Sequence, residues 1–324
     1  MAEKTQQTPT DMSEKLKALE AARLQIEKQF GTGSLIKLGA QTDLTSVDVI
    51  PSGSILLDEA LGVGGYPRGR IIEMYGPESS GKTTLAYHLC GLHSLCLDIP
   101  IEGTFDTERA KIFGNRPKQM LVYRARYGED AFNKIIQFAK AGIPLIVVDS
   151  VPSMIPKEDA EKVIKSADKD SIEEQRIGGV ARLMTKYLPS VEDIIEVTGT
   201  TIIFINQVRD KMQAMLFGEK TDTPGGHKLK HSCSVRIQVA RKSWIEIPNK
   251  DPHNSATNKA VGLIMKCKVV KSKVCNPKGE CEIPCFFDRG FVSFDDVKSI
   301  RDELMEQERL KWSKRASKGS DDWE

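Results

Sequence analysis

The stretch YGPESSGKTT, residues 75–84, carries the most specific chemistry in the chain. Its residues Gly76, Pro77, Glu78, Ser79, Ser80, Gly81, Lys82 and Thr83 fit G-x-x-x-x-G-K-[ST], and Thr84 follows directly. Glycines let a backbone fold tightly enough for successive N–H groups to converge on phosphate oxygens. A helix that begins there adds the partial positive charge of its N-terminus. Lys82 would reach the β- and γ-phosphates, and the Thr83 hydroxyl would sit on Mg²⁺. The expected ligands are therefore a nucleotide's phosphates and Mg²⁺.

Hydrolysis asks for more than a phosphate cradle. Asp149 ends the apolar run LIVVD, where a second carboxylate would order the metal through water. The run IEGTFDTE reads as another strand, closed by Asp106 and Glu108. Either of these, or neither, could polarise a water for in-line attack. Gln207 ends the run IIFINQ. An uncharged amide at that strand end could sense the γ-phosphate without competing for the metal.

These strand ends need a scaffold that gathers them. The runs RIIEMYG, IEGTFDTE, QMLVYRA, IPLIVVDS, TTIIFINQ and SVRIQVA alternate with helical patterns such as 82–95 and 130–141. Continuous rather than alternating apolar residues in LIVV and TIIFI fit strands covered on both faces. The expected fold class is therefore α/β, a mostly parallel twisted sheet flanked by helices. Ahead of it, Leu16, Leu19, Ala22 and Ile26 mark an amphipathic helix capped by Ser13 and stopped by FGTGS. Its apolar stripe could pack on its own domain or on a neighbouring subunit.

The chain has 324 residues, 40% hydrophobic and 28% charged, with a net charge of +2. That is ordinary globular composition, so only local charge speaks to partners. No apolar run is long enough to span a membrane, and the polar start lacks the apolar block of a secretory signal. Seven cysteines cannot all pair internally, and a reducing, cytoplasmic setting is expected. Three of them lie in CNPKGECEIPC, whose C-x5-C-x3-C spacing fits a zinc knuckle poorly, so a β-hairpin is expected there.

Several long motifs in register resemble the bacterial RecA-type strand-exchange recombinases: QIEKQFGTGS, GSILLDEALGVGGYPRGRIIEMYG, GPESSGKTT, LIVVDSV, TIIFINQVR and KVVKSK. The resemblance runs over residues 16–294. It implies a RecA-like P-loop ATPase core and an N-terminal helix that docks on the adjacent subunit of a helical filament. It implies that Glu108 is the catalytic glutamate and that Gln207 reads the γ-phosphate. Lys271 and Lys273 would reach across the subunit interface into a neighbour's ATP. A first DNA loop would span residues 156–177, ending at Ile177, with Arg182 and Thr185 on the following helix touching phosphates. A second would follow Gln207, with Arg209, Lys211 and Met212 on the DNA and Gly225 and Gly226 at its end. The partners implied are single- and double-stranded DNA, further copies of the chain, and a single-strand-binding or mediator protein. The implied activity is DNA-dependent ATP hydrolysis coupled to strand exchange. A ring-forming helicase motor on the same core and an ATP-switched mediator are the alternative readings.

The implied organisation is a disordered start (1–12), a helix and polymerisation segment (13–45), the ATPase core (46–294) and a charged tail (295–324). Departures from the family pattern are visible. No tyrosine can be placed for stacking on adenine, and Phe113 is the available substitute. The globular C-terminal domain that gathers duplex DNA is not expected in the short charged tail. This suggests a compact version of phage or mobile-element type, working in a bacterial or host cytoplasm.

Overall fold

The computed structural model describes residues 11–30, 47–93, 95–102, 107–112, 120–165, 170–210, 221–249, 258–277 and 279–318. The chain divides into two units, residues 1–46 and 47–324. The first contains the helix α1 (Met12–Phe30), along which Leu16, Leu19 and Leu24 are exposed. It begins at Met12, so Ser13, expected as the cap, lies inside the first turn.

The second unit begins with β1 (Val49–Ile50), α2 (Ile55–Leu61), β2 (Tyr66–Pro67), β3 (Ile71–Gly76), α3 (Lys82–Leu92) and β4 (Cys96–Pro100). It continues through α4 (Thr107–Ile112), β5 (Met120–Val122), α5 (Gly128–Lys140), β6 (Leu145–Asp149), α6 (Lys157–Lys165) and α7 (Asp170–Thr198). Then come β7 (Thr201–Gln207), β8 (Arg209–Asp210), β9 (Thr221–Asp222), α8 (Gly226–Ser232) and β10 (Val235–Pro248). The last elements are β11 (Asn258–Ser272), β12 (Glu280–Phe286), β13 (Gly290–Phe291) and α9 (Asp296–Lys318).

Among the described residues, nine strands form one sheet in the order β13-β12-β11-β10-β3-β7-β6-β4-β5. From β10 to β5 every neighbouring pair is parallel, and β11 to β13 extend the sheet antiparallel. Strand periodicity sends alternate residues to opposite faces. Ile203 and Ile205 of β7 join Leu85 and Leu89 of α3 in one buried layer. Ile202 and Phe204 join Phe132 of α5 and Leu183, Met184 and Leu188 of α7 in the other. Both faces are thus covered, which is why LIVV and TIIFI lack polar alternation.

Two expectations change here. The strand after α3 is CLDIP rather than IEGTFDTE, and Glu108 lies in the first turn of α4. Asp98 and Pro100 interrupt the apolar run of β4, which hides it from a reading by hydrophobicity. The segment 156–177, expected as a loop, contains α6 and the first part of α7. Its charged, glycine-free sequence keeps the propensity of a solvated helix. The cysteine-rich segment does form a hairpin strand, with Cys281 of β12 directly opposite Cys267 of β11.

Candidate nucleotide and DNA sites

The parallel strands deliver their carboxyl ends to one edge, the position where open α/β sheets bind ligands. β3 runs into the turn of residues 76–81, and α3 starts at Lys82. Gly76 is required by close passage of β10: a Cβ there would lie 1.9 Å from the Val239 carbonyl oxygen. Gly81 has φ 99°, and a Cβ there would meet Met265 Sδ at 2.1 Å. The turn is thereby pressed against the sheet while its outer residues Pro77, Glu78 and Ser79 stay exposed.

Lys82 is buried, and its ammonium donates to the carbonyls of Gly76 (3.0 Å) and Pro77 (2.6 Å). Burial pushes its pKa down, opposed by the carboxylates of Asp149, Glu78 and Glu102. The Thr83 hydroxyl donates to Asp149 Oδ2 at 2.7 Å. Burial pushes the Asp149 carboxyl up, against the pull of the Thr83 hydroxyl and the Lys82 ammonium. Thr84 is buried within α3.

Glu78, Ser79, Lys82, Thr83, Asp149 and Gln207 line a cleft of about 320 Å³, together with Glu102. Glu102 is the residue that sequence reasoning missed. Its carboxylate accepts from Gln207 Nε2 at 3.2 and 3.0 Å and from the Ser150 hydroxyl. Glu108 does not line the cleft: its side chain is 82% exposed and pairs with Lys111 at 2.6 Å. The expected strand-end carboxylate therefore exists, two residues beyond β4, but it is Glu102. A reading that took CLDIP as the strand would have found it.

Behind Gln207 runs a buried polar chain. The Gln207 N–H donates to Asn206 Oδ1 at 3.0 Å. Asn206 Nδ2 donates to Glu73 Oε1 and to the Pro224 carbonyl, each at 2.8 Å. Fully buried Glu73 is ion-paired with Arg236, whose Nη2 donates to Thr223 Oγ1 at 3.3 Å. The chain thus joins the cleft to residues 223–224, next to Gly225 (φ 101°) and Gly226 (φ 69°) at the start of α8.

Gly226 abuts α7, where a Cβ would lie 3.0 Å from Ala181 Cβ. This places it beside the turn carrying Arg182 and Thr185. Arg182 is exposed, 3.7 Å from Asp159 Oδ2, and the Thr185 hydroxyl donates to the Ala181 carbonyl. Ile177 lies one turn earlier in α7. Arg209 opens the β8–β9 ribbon at the base of the second expected loop. Lys211, Met212, Asp106 and Phe113 lie outside the described residues. Lys271 and Lys273 do not line the cleft. Lys271 Nζ caps the end of α8 by donating to the Lys230 and His231 carbonyls, and Lys273 is exposed. No group of three or more zinc-type ligands occurs among the described residues.

Comparison with known proteins matches the RecA N-terminal domain over residues 17–292. The chain belongs to the RecA family. Protein RecA of Treponema pallidum is 38% identical over 316 residues, covering 95% of this chain and 74% of the relative. Protein RecA of Treponema denticola is 42% identical over 300 residues, covering 91% and 68%. Protein RecA of Bacillus subtilis is 38% identical over 300 residues, covering 90% and 80%. As a RecA-family protein the chain is an ATP-dependent recombinase and a DNA-dependent ATPase that binds nucleotide and DNA and oligomerises. Among the described residues no helix is long and apolar enough to cross a membrane.

Proposed function

We propose that the chain polymerises as a helical filament on single-stranded DNA, holds ATP at subunit interfaces, and couples hydrolysis to homologous pairing and strand exchange. The convergence of Lys82, Thr83, Asp149, Glu102 and Gln207 on one cleft carries this reading. The N–H groups of residues 76–84 and the Lys82 ammonium hold the phosphates. The Thr83 hydroxyl and Asp149 carboxylate are hard oxygen donors of the kind Mg²⁺ takes, Asp149 acting through water. When bound, Mg²⁺ neutralises charge on the phosphate oxygens.

Glu102 is the general base. Gln207 and Ser150 fix its carboxylate, and one Oε accepts the proton of the attacking water. Gln207 reports the state of the cleft through Asn206, Glu73 and Arg236 to the second DNA loop. Arg182, Thr185, Arg209 and Lys211 contact backbone phosphates, Ile177 and Met212 pack on bases, and the Gly225–Gly226 backbone approaches the strand. Base pairing supplies homology recognition, so the protein's own contacts are sequence-tolerant.

The segment 13–45 docks on the adjacent subunit, and residues 46–294 form the core. Lys271 and Lys273 act on a neighbour's nucleotide, which ties hydrolysis to filament geometry. Duplex DNA, a mediator and a cytoplasmic setting complete the reading. Measuring ATP turnover with and without single-stranded DNA tests it. DNA should raise turnover in the wild type, and Lys82→Ala should abolish it; full DNA-dependent turnover in that variant overturns the assignment.

A further inference from the structure

A second cleft, of about 380 Å³, shares two walls with the first, Glu102 and Gln207. The loops after β4, β5, β6 and β7 surround it, so it too lies at the carboxyl edge of the sheet. Two guanidinium groups line it, Arg209 at the base of the β8–β9 ribbon and Arg126 after the edge strand β5. Glu102 is the acidic group in the lining, so two guanidiniums face one carboxylate that already accepts from Gln207 and Ser150.

Arg126 is held out at this position by its backbone. Its N–H donates to Asp130 Oδ2 at 3.1 Å, and the neighbouring Gly128 N–H donates to the Ile155 carbonyl at 2.8 Å. Lys157 N–H donates to Glu129 Oε2, which ties the same turn to the start of α6. The side chain itself is exposed, and among the described residues neither Arg126 nor Arg209 has a side-chain ion pair or hydrogen bond across the cleft. An exposed, unpaired guanidinium on a fixed turn is pre-organised for a bidentate oxyanion.

From this arrangement we infer that Arg126 is a further phosphate-binding residue for single-stranded DNA, outside both expected DNA loops, and that the strand's backbone passes the mouth of this cleft between Arg126 and Arg209. The lining residue Val180 lies on α7 just before Arg182 and Thr185, and the lining residue Pro224 directly precedes Gly225 and Gly226. Arg126 reaches the same cleft from the segment between β5 and α5, an element separate from both expected loops. The contact would place a phosphodiester beside Glu102 and Gln207, so that DNA and nucleotide share one wall. The inference rests on the reading of the chain as a single-strand-binding recombinase.

The test is binding of a labelled oligothymidylate, followed by fluorescence anisotropy over a series of salt concentrations with a slowly hydrolysed ATP analogue present. Each phosphate contact on a single strand contributes about 0.7 to the slope of log K against log salt. Arg126→Gln should weaken binding and flatten the slope by about that amount per protomer, and Arg126→Lys should keep most of it. Binding of a fluorescent ATP analogue without DNA should be the same in all three proteins. Wild-type affinity and slope in Arg126→Gln overturn the inference, as does a loss confined to nucleotide affinity. If the wild type itself does not bind the oligonucleotide, the recombinase reading fails and the inference fails with it.

Discussion

Two carboxylates six residues apart in the sequence have different fates in the fold. Glu102 is held in the nucleotide cleft by Gln207 and Ser150, whereas Glu108 projects from α4 and meets Lys111. General-base catalysis contributes roughly 10²–10⁴-fold. Glu102→Gln should therefore lower DNA-stimulated ATP turnover by about that factor while nucleotide binding persists. Glu108→Gln should leave turnover close to wild type. Steady-state hydrolysis and equilibrium nucleotide titration on the two variants separate the roles. Asp98, four residues before Glu102 and within β4, is another carboxylate that hydrophobicity obscured. It is fully buried in β4, its oxygens have no hydrogen-bond partner among the described residues, and burial with nearby Asp149 pushes its pKa up to about 8. The unfolded chain ionises near the ordinary carboxylate value, so stability from this residue is full below about pH 4. It then falls as pH rises toward 8, by up to about 1.4 kcal/mol per pH unit. Asp98→Asn should remove that slope in melting temperatures recorded from pH 4 to 8. The phosphate turn was legible because glycine, lysine and threonine at fixed spacing have one physical use. Glu102 was not, because its strand carries Asp98 and Pro100 where apolar residues mark the others.

At the level of elements, the sheet was readable wherever a strand is buried on both faces. β3, β6 and β7 lie within the runs RIIEMYG, IPLIVVDS and TTIIFINQ, each bounded to within one or two residues. The segment 156–177 was misread as a loop because the family resemblance outweighed its own helical composition. The long hairpin β10–β11 had no expected partner for its outer rungs. What no reading of periodicity could supply is the polar chain between strands. Glu73 sits centrally in β3 and would read as an exposed position, yet it is buried against Arg236 of the neighbouring β10. Removing one partner of a buried ion pair costs about 3–5 kcal/mol because the other is left uncompensated. Arg236→Ala should lower unfolding free energy in urea by about that amount. It should also weaken the dependence of DNA binding on ATP, since it cuts the path from Gln207 to Thr223. Equal loss of stability with undiminished ATP dependence would assign Arg236 to structure alone.

For the whole molecule, the arrangement joins three surfaces. The carboxyl edge of the sheet gathers the nucleotide cleft and the second cleft around Glu102 and Gln207. The base of the β8–β9 ribbon and the start of α8 adjoin that edge through the Asn206–Glu73–Arg236 chain. Lys271 and Lys273 do not line the cleft of their own chain, where Lys271 caps α8, and action on a neighbour's nucleotide is the further role proposed for them. In the unit of residues 1–46, Leu16, Leu19 and Leu24 of α1 are exposed, and contact with another copy is the use proposed for this helix. ATP binding and DNA binding are then properties of an assembly as much as of one chain. Electron microscopy of the purified protein with single-stranded DNA and a slowly hydrolysed ATP analogue tests this most directly. Continuous helical filaments coating the DNA, lost when the nucleotide is omitted, are the predicted result; discrete closed rings, or DNA left bare, would contradict it.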